Sequence, residues 1–254
     1  MKKWRSAFRM DCFRCFHSPF FYVAIILFIC IWISEIAQDL ILSRGNISVL
    51  HAFDWRTTGA LLSALPFATT FCEDYRNRYI WYCLQRTSTQ AYAWSKIFST
   101  ALFSAIANFT ASMLFVGLLD LHYPLIGTVD SIAAYVSMVP YGGLLMGSCP
   151  FLYFVSVAIC ESLLIALLAI IALNVSCLIP DFYVTLATPI ISYYIIINAC
   201  PDGWLSPYRI FVTRSINVGG SVFSLLYAAG FTACCILILG FLFNFLLQRR
   251  VAHG

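Results

Sequence analysis

The sequence predicts an all-α membrane protein. Three observations indicate this class: the composition, the length of the apolar runs and the placement of the basic residues. Hydrophobic residues make up 61% of the 254 residues and charged residues only 10%, and the mean hydropathy is +0.87. Soluble domains carry about 25% charged residues. The apolar runs are continuous and lack the period-two alternation of a barrel strand, so each is predicted to be a helix.

Six apolar runs are long enough to cross a bilayer as helices. The predicted spans are 19–40, 57–73, 91–119, 151–173, 181–199 and 221–247. Because no internal repeat or low-complexity linker separates them, residues 1–254 are predicted to form a single transmembrane domain.

The basic residues predict the orientation. Placing both termini in the cytoplasm puts eleven of the fifteen Lys and Arg residues inside. The positive-inside rule favours that arrangement, and it predicts a multi-pass protein of the cell membrane. The net charge of +4 is thereby attributed to membrane topology and not to nucleic-acid binding.

Residues 2–17 predict an amphipathic helix that lies along the membrane surface before the first span. At 100° per residue, Trp4, Phe8 and Cys15 share one stripe, while Arg5 and Arg9 share another. Such a helix would place its rings in the acyl boundary and its basic side chains among anionic headgroups. Membrane lipids are therefore an expected partner, and contact with a cytoplasmic protein is a further expected role.

Pro66 lies within the second predicted span. Proline has no backbone N–H to donate, so a kink or local unwinding is expected there. A bend at this position would either transmit movement to the segment that follows or be static, and the sequence supports both alternatives.

A short polar helix is predicted over about 73–87, between the second and third spans. Charge is scarce in this chain, yet it is concentrated here among aromatic residues. Such a segment at the cytoplasmic surface is expected to dock a soluble partner. The expected docking residues are Glu73, Asp74, Tyr75, Arg76, Asn77, Arg78, Tyr79, Trp81 and Arg86. Two alternatives stay open: the helix is an interfacial linker without a partner, or Arg86 and Lys96 bind lipid phosphate.

Motifs for catalysis or metal binding are missing from the sequence. No phosphate-binding loop, G-x-S-x-G or H-E-x-x-H pattern occurs, so no catalytic residue is predicted. Cys12, Cys15 and His17 lack the second ligand pair of a structural zinc site, so no metal site is predicted. Cys149 and Cys200 both fall near the outer face, where a disulfide between them is one alternative.

Glu161 is a carboxylate about ten residues into the fourth predicted span. An ionised group at mid-bilayer costs about 2.5–3.5 kcal/mol on insertion scales, so it is expected to face protein or water. One hypothesis makes it part of a translocation path or proton-linked switch. The other makes it a protonated or hydrogen-bonded carboxyl, paired with an asparagine or a tyrosine hydroxyl.

The region 66–96 resembles the permease subunits of type-2 ATP-binding-cassette (ABC) exporters. Those permeases have a proline-containing second span, a phenylalanine with an acidic pair, a short coupling helix, an arginine and a Y-x-x-x-K start to the third span. This chain has Pro66-Phe67, then Phe71-Cys72-Glu73-Asp74, Arg86, and Tyr92 with Ser95-Lys96. Asp11, Arg14 and Ser18-Pro19-Phe20 are also similar to the start of such permeases. Where the family has a glycine after the acidic pair this chain has Asn77-Arg78, so the left-handed turn is expected at Asn77.

The resemblance implies a half-permease that works as a dimer, with a second copy or a homologous permease, and with two ABC ATPase subunits. It also implies outer half-helices before the last span. ATP and Mg would be bound by the ATPase, and no cofactor by this chain. The coupling helix would sit in a groove of the ATPase, with charged rim contacts and with Tyr75, Tyr79 and Trp81 as anchors.

The expected function is export of an amphipathic peptide, an antibiotic or a lipid-like cargo, because the spans are apolar and rich in aromatic residues. Two alternatives belong to other classes. The first is a membrane anchor that recruits a cytoplasmic protein without transporting anything. The second is a secondary carrier, for which Glu161 would be the coupling group and which no inverted repeat supports.

Overall fold

The computed structural model describes residues 2–42, 58–121, 141, 144, 151–199, 210–211 and 221–253. Within these ranges the chain forms helices and no strands, which confirms the all-α class. In chain order they are α1 (Lys2–His17), α2 (Pro19–Leu42), α3 (Thr58–Leu62), α4 (Thr70–Arg76), α5 (Tyr79–Arg86), α6 (Thr89–Asp120), α7 (Phe151–Leu178), α8 (Phe182–Ala199) and α9 (Ser221–His253). The outer half-helices and the Cys149–Cys200 pair lie outside the described residues.

Four of these helices, α6 to α9, are long and apolar enough to cross a membrane. A fifth crossing results if α1 and α2 together form one broken span. The two helices are bent by 57° at their junction. Pro19 is the first residue of α2, a position that tolerates proline because the N–H there has no intrahelical partner. The bend lets α1 depart from the direction of α2 and pack across α6.

The second predicted span, 57–73, is not a continuous helix. Helix α3 ends at Leu62, residues 63–69 form tight turns, and α4 begins at Thr70. Two carbonyls freed by the unwinding receive side-chain donors instead: Ser104 Oγ donates to Ser63 O at 2.9 Å, and Cys15 Sγ donates to Pro66 O at 3.8 Å. The sequence predicted a kink or unwinding at Pro66, and the structure has the unwinding.

Helix α7 is the centre of the fold. It packs against α6, α8 and α9. Of the 18 consecutive residues that make up its most apolar stretch, 72% are buried, compared with 17% for the corresponding stretch of α9. One hydrophobic cluster joins α2, α6 and α7 through Phe28, Phe115 and Phe154. A second cluster at the other end of α6 joins Phe71 and Ile97 to Phe243. This second cluster holds α4 and α5 against the ends of the long helices.

A buried polar stripe runs along α6. Every fourth residue from Tyr92 to Ser112 is polar and buried, the series being Tyr92, Lys96, Thr100, Ser104, Asn108 and Ser112. Residues four apart lie on one helical face. Beyond the bond from Ser104 to Ser63 O, Asn108 Nδ2 donates to Ser162 Oγ of α7 at 3.2 Å. Polar bonds of this kind stabilise helix pairs where the surroundings are apolar.

Candidate functional site

The polar segment between the second and third predicted spans is two short helices, not the single helix predicted over 73–87. Helix α4 ends when the N–H of Asn77 donates to Glu73 O at 2.9 Å. The next residue, Arg78, has φ 54° and ψ 16°, the left-handed conformation, and α5 begins directly after it. The left-handed residue is therefore Arg78 and not Asn77, because Asn77 still closes the last turn of α4. We call residues 70–86 the α4–α5 segment.

Two side chains fix the end of this segment. Thr87 closes the last turn of α5. Its N–H donates to Cys83 O at 2.9 Å, and its Oγ1 donates to the same carbonyl at 2.7 Å. Ser88 then caps α6 by accepting from the N–H of Ala91 at 3.2 Å. A serine at this position satisfies an N–H that the helix itself leaves without a partner. The junction between α5 and α6 is consequently short and well defined.

Four charged residues from three helices form a buried charge cluster: Asp11 and Arg14 of α1, Asp74 of α4 and Lys96 of α6. Lys96 Nζ lies 3.1 Å from Asp11 Oδ1 and 2.9 Å from Asp74 Oδ2. Arg14 Nη2 lies 2.8 Å from Asp74 Oδ1. The side chain of Lys96 is completely buried. Since two cations and two carboxylates are present, the charges balance within the cluster.

Neutral donors complete the cluster. Ser95 Oγ donates to Asp11 Oδ2 at 2.6 Å, and Tyr92 OH donates to Asp74 Oδ2 at 3.0 Å. Buried ion pairs stabilise a fold only when further hydrogen bonds satisfy the remaining lone pairs. Ser95 occupies the second oxygen of Asp11 and Tyr92 adds a bond to Asp74 Oδ2, while Asp74 Oδ1 has only its ion pair with Arg14. Burial by itself would raise the pKa of Asp74, but Lys96 and Arg14 outweigh it and hold that pKa below its ordinary value. Asp74 is therefore ionised at neutral pH.

The far end of the chain also contacts the segment. Arg250, near the end of α9, lies over the ring of Tyr75 with 4.2 Å between its Cζ and the ring centroid. Its Nη1 donates to the carbonyls of Cys177 and Leu178 at the end of α7. A cation at a helix C-terminus also interacts favourably with the helix dipole. One guanidinium therefore joins α4, α7 and α9.

A third contact comes from the turn between α7 and α8. Cys72 Sγ lies 3.2 Å from Thr185 Oγ1 and donates to Asp181 O at 3.6 Å. Asp181 Oδ1 in turn accepts from the N–H groups of Tyr183 and Val184, which caps the start of α8. The α4–α5 segment is thus attached to α1, α6, α9 and the α7–α8 turn.

The predicted docking residues differ in accessibility. Those at the surface are Arg76, Asn77, Arg78, Trp81 and Arg86; those partly buried are Glu73, Tyr75 and Tyr79. Asp74 is only 1% exposed and belongs to the charge cluster, so in this structure it does not present its carboxylate to a partner. Tyr82 was not among the predicted residues, yet it is 66% exposed beside Trp81.

The phosphate-binding alternative must be corrected for Lys96. Its ammonium is enclosed by two carboxylates and cannot reach a lipid headgroup. Arg86 remains accessible, and no carboxylate among the described residues pairs with it. Of the two basic residues proposed from the sequence, only Arg86 is available to an external anion.

Glu161 lies in α7 and is 3% exposed. Among the asparagines of the spans, Asn108 donates one amide N–H to Ser162 Oγ, Asn174 one to Ile170 O and Asn198 one to Tyr194 O, and each amide has a second N–H. Glu161 does not contribute to the charge cluster. Its role in a translocation path or proton switch stays a prediction.

The sequence predicts the charge cluster only in part. The family resemblance includes Asp11, Arg14, Tyr92 and Ser95, but it assigns them no role. Two signals were readable: the scarcity of charge, which makes each charged residue near an apolar run a candidate for pairing, and the four-residue spacing of polar residues along α6. Which acid meets which base depends on the packing of α1 across α6.

Comparison with known proteins yields no relative: no protein-family model matches the chain, and neither the curated proteins nor the solved structures give a significant match.

Proposed function

We propose that this chain is the membrane-spanning permease subunit of an ATP-driven ABC exporter, and that it works as a dimer with a second copy or a homologous permease. The observation that supports the proposal best is the attachment of the α4–α5 segment. Its outer face is accessible, while its inner face is joined to α6 through the buried pair of Asp74 and Lys96. A surface of this design can bind a soluble partner and pass a displacement to the long helices.

The ABC ATPase would bind the exposed face of the α4–α5 segment. Trp81 would act as an anchor, since aromatic residues carry much of the binding energy at interfaces. Arg76 and Arg78, at the exposed outer edge, would form charged rim contacts. Asp74, which the sequence analysis placed among the docking residues, would instead position the segment from inside.

ATP-driven closure of the ATPases would move the segment, and the buried contacts would carry that movement along two routes. One runs from Asp74 through Lys96 into α6, and the other from Tyr75 through Arg250 into α9. ATP and Mg would be held and hydrolysed by the partner, so the chain itself is proposed to have no enzymatic activity. The proposed cargo is an amphipathic peptide, an antibiotic or a lipid-like molecule.

The proposal is tested on the complex from its native membrane. The tagged chain is isolated in mild detergent, its partners are identified by mass spectrometry, and ATP hydrolysis is measured after reconstitution. We expect a co-purifying protein with a phosphate-binding loop, and hydrolysis that vanadate inhibits. The double variant Arg78→Glu/Trp81→Ala should lose most of the ATPase, whereas Arg9→Glu, on the exposed side of α1, should retain it.

The outcomes separate the function classes. A chain that binds a soluble protein without any ATP hydrolysis would be a recruiting anchor, and the permease proposal would fail. An ATPase that stays bound to the double variant would place the docking surface elsewhere. Thermal unfolding of each variant, compared with wild type, shows whether a loss of binding reflects the surface or a loss of fold.

A further inference from the structure

A cavity of about 380 Å³ lies between α1 and α5. Helix α1 contributes Ala7, Met10 and Arg14 to its wall, and α5 contributes Tyr79, Tyr82 and Arg86. The wall therefore combines two guanidinium groups with phenol rings and apolar side chains. It is separate from the exposed outer edge of the segment that carries Arg76 and Arg78.

The charges around the cavity do not balance. Asp11 also lines it, but both of its carboxylate oxygens are occupied, by Lys96 and by Ser95. Arg14 uses Nη2 for Asp74, while its Nη1 is buried without a hydrogen-bond acceptor. Arg86 has no ion-pair partner among the described residues. Since the four residues of the charge cluster sum to zero, Arg86 adds one uncompensated positive charge at this site.

An anion with several acceptor oxygens matches these donors. Arginine presents a planar fork of N–H groups that binds phosphate through paired hydrogen bonds, and such charge-assisted bonds are roughly twice as strong as neutral ones. The phenol group of Tyr82 supplies a further donor beside Arg86, whereas the Tyr79 hydroxyl already donates to Met10 Sδ at 3.4 Å. A phosphate group has the oxygens to use them.

The surroundings of α1 indicate where that phosphate comes from. Phe13 and Phe16 of α1 are 64% and 49% exposed, and an amphipathic helix with exposed rings and basic side chains lies at the acyl–headgroup boundary. The cavity is built on this same helix, with Ala7 and Met10 forming an apolar wall. We propose that the cavity binds the phosphate of an anionic phospholipid, with Arg86 and Arg14 as its ligands.

The test uses the purified full-length chain and does not depend on any ATPase. Retention of phosphatidylglycerol and of phosphatidylcholine is measured by native mass spectrometry, and thermal unfolding is followed with each lipid and with inorganic phosphate. We expect wild type to retain phosphatidylglycerol preferentially and to be stabilised by it. Arg86→Gln should weaken this binding about tenfold, as expected for loss of a charge-assisted contact. The matched control Arg249→Gln, an exposed arginine outside the cavity, should bind as wild type does.

Arg14 needs a gentler change because it pairs with Asp74. Arg14→Lys keeps the positive charge but lacks the fork, and it should also weaken retention of phosphatidylglycerol. Equal retention of the two lipids by wild type, or unchanged binding by Arg86→Gln, would overturn the site. Stabilisation by inorganic phosphate that equals that of phosphatidylglycerol, and that Arg86→Gln removes, would overturn the lipid as the source of the anion.

Discussion

The ammonium group of Lys96 has oxygen atoms of Asp11, Asp74 and Thr70 within 3.5 Å. These oxygens come from two other helices, α1 and α4, so one side chain joins three elements. Its neighbours are also aromatic: the ring centroids of Phe67 and Tyr92 lie 4.9 Å and 5.7 Å from Nζ. Cation–π contacts of this kind gain strength when water is excluded. Lys96 is therefore the residue on which the geometry of the charge cluster depends most.

Replacing Lys96 by glutamine should destabilise the fold strongly. The change leaves Asp11 and Asp74 buried with too few cations, and breaking a buried pair by removing one partner costs about 3–5 kcal/mol. Thermal unfolding in detergent measures the loss, and Arg9→Gln, at an exposed position of α1, is the control. Adding Asp11→Asn to Lys96→Gln should recover part of the stability, because one fewer carboxylate is left unpaired. Unfolding of Lys96→Gln at the wild-type temperature would contradict this account.

Continuous apolar runs indicate the long helices directly, so their positions were predictable, although the fourth and sixth predicted spans end at 173 and 247 while the helices continue to Leu178 and His253. The third predicted span, 91–119, corresponds to α6 at Thr89–Asp120, and the fifth, 181–199, to α8 at Phe182–Ala199. The unwinding at Pro66 was also predictable, since proline lacks an N–H. The charge cluster was not, because Asp11 and Ser95 are far apart in sequence and meet only through tertiary packing. The sequence accordingly predicts Asp74 and Lys96 as surface groups, whereas the structure buries both.

Helices α6 and α9 approach closely at Gly240. A methyl group there would lie 2.8 Å from Trp94 Cζ3 and 3.4 Å from Ile97 Cδ1. The Trp94 ring is itself held against Phe241, with 5.3 Å between centroids. Gly240→Ala should therefore shift this ring and destabilise the packing by about 1–3 kcal/mol.

The same helix supplies the control for that prediction. No atom lies within 4 Å of a methyl group built at Gly230, so Gly230→Ala should be neutral or slightly stabilising, as alanine is the better helix former. Thermal unfolding, with tryptophan fluorescence as a second signal, distinguishes the two. Equal stability of both variants would show that the approach of α6 and α9 is looser than described.

The molecule as a whole is a bundle whose burial falls from the centre outward. Helix α7 is mostly enclosed, whereas α8 and α9 leave large apolar side chains exposed, among them Ile195, Phe241 and Phe245. In a bilayer such faces are satisfied by lipid or by another helix. The proposed dimer would cover part of them.

The number of crossings determines which sides the two termini occupy. If residues 58–73, which include the unwound stretch 63–69, cross the membrane together with the other five units, six crossings place both termini on the same side. If it does not, five crossings place them on opposite sides. We expect six, because the basic residues then gather in the cytoplasm. Labelling of single tags at each end with a membrane-impermeant reagent in intact cells tests this: neither tag should react until the membrane is opened, and reaction of only one would contradict the six-crossing topology.

The order of the cluster residues along the chain has a consequence for biogenesis. A ribosome completes Asp11 and Asp74 before it adds Lys96, so both counter-ions already exist when the helix carrying the ammonium leaves the exit tunnel. That helix can exchange water for carboxylate oxygen as it partitions, without a stage in which its positive group faces hydrocarbon alone. An N-terminal truncation that removes α1 would deprive the nascent third span of one acceptor at that moment.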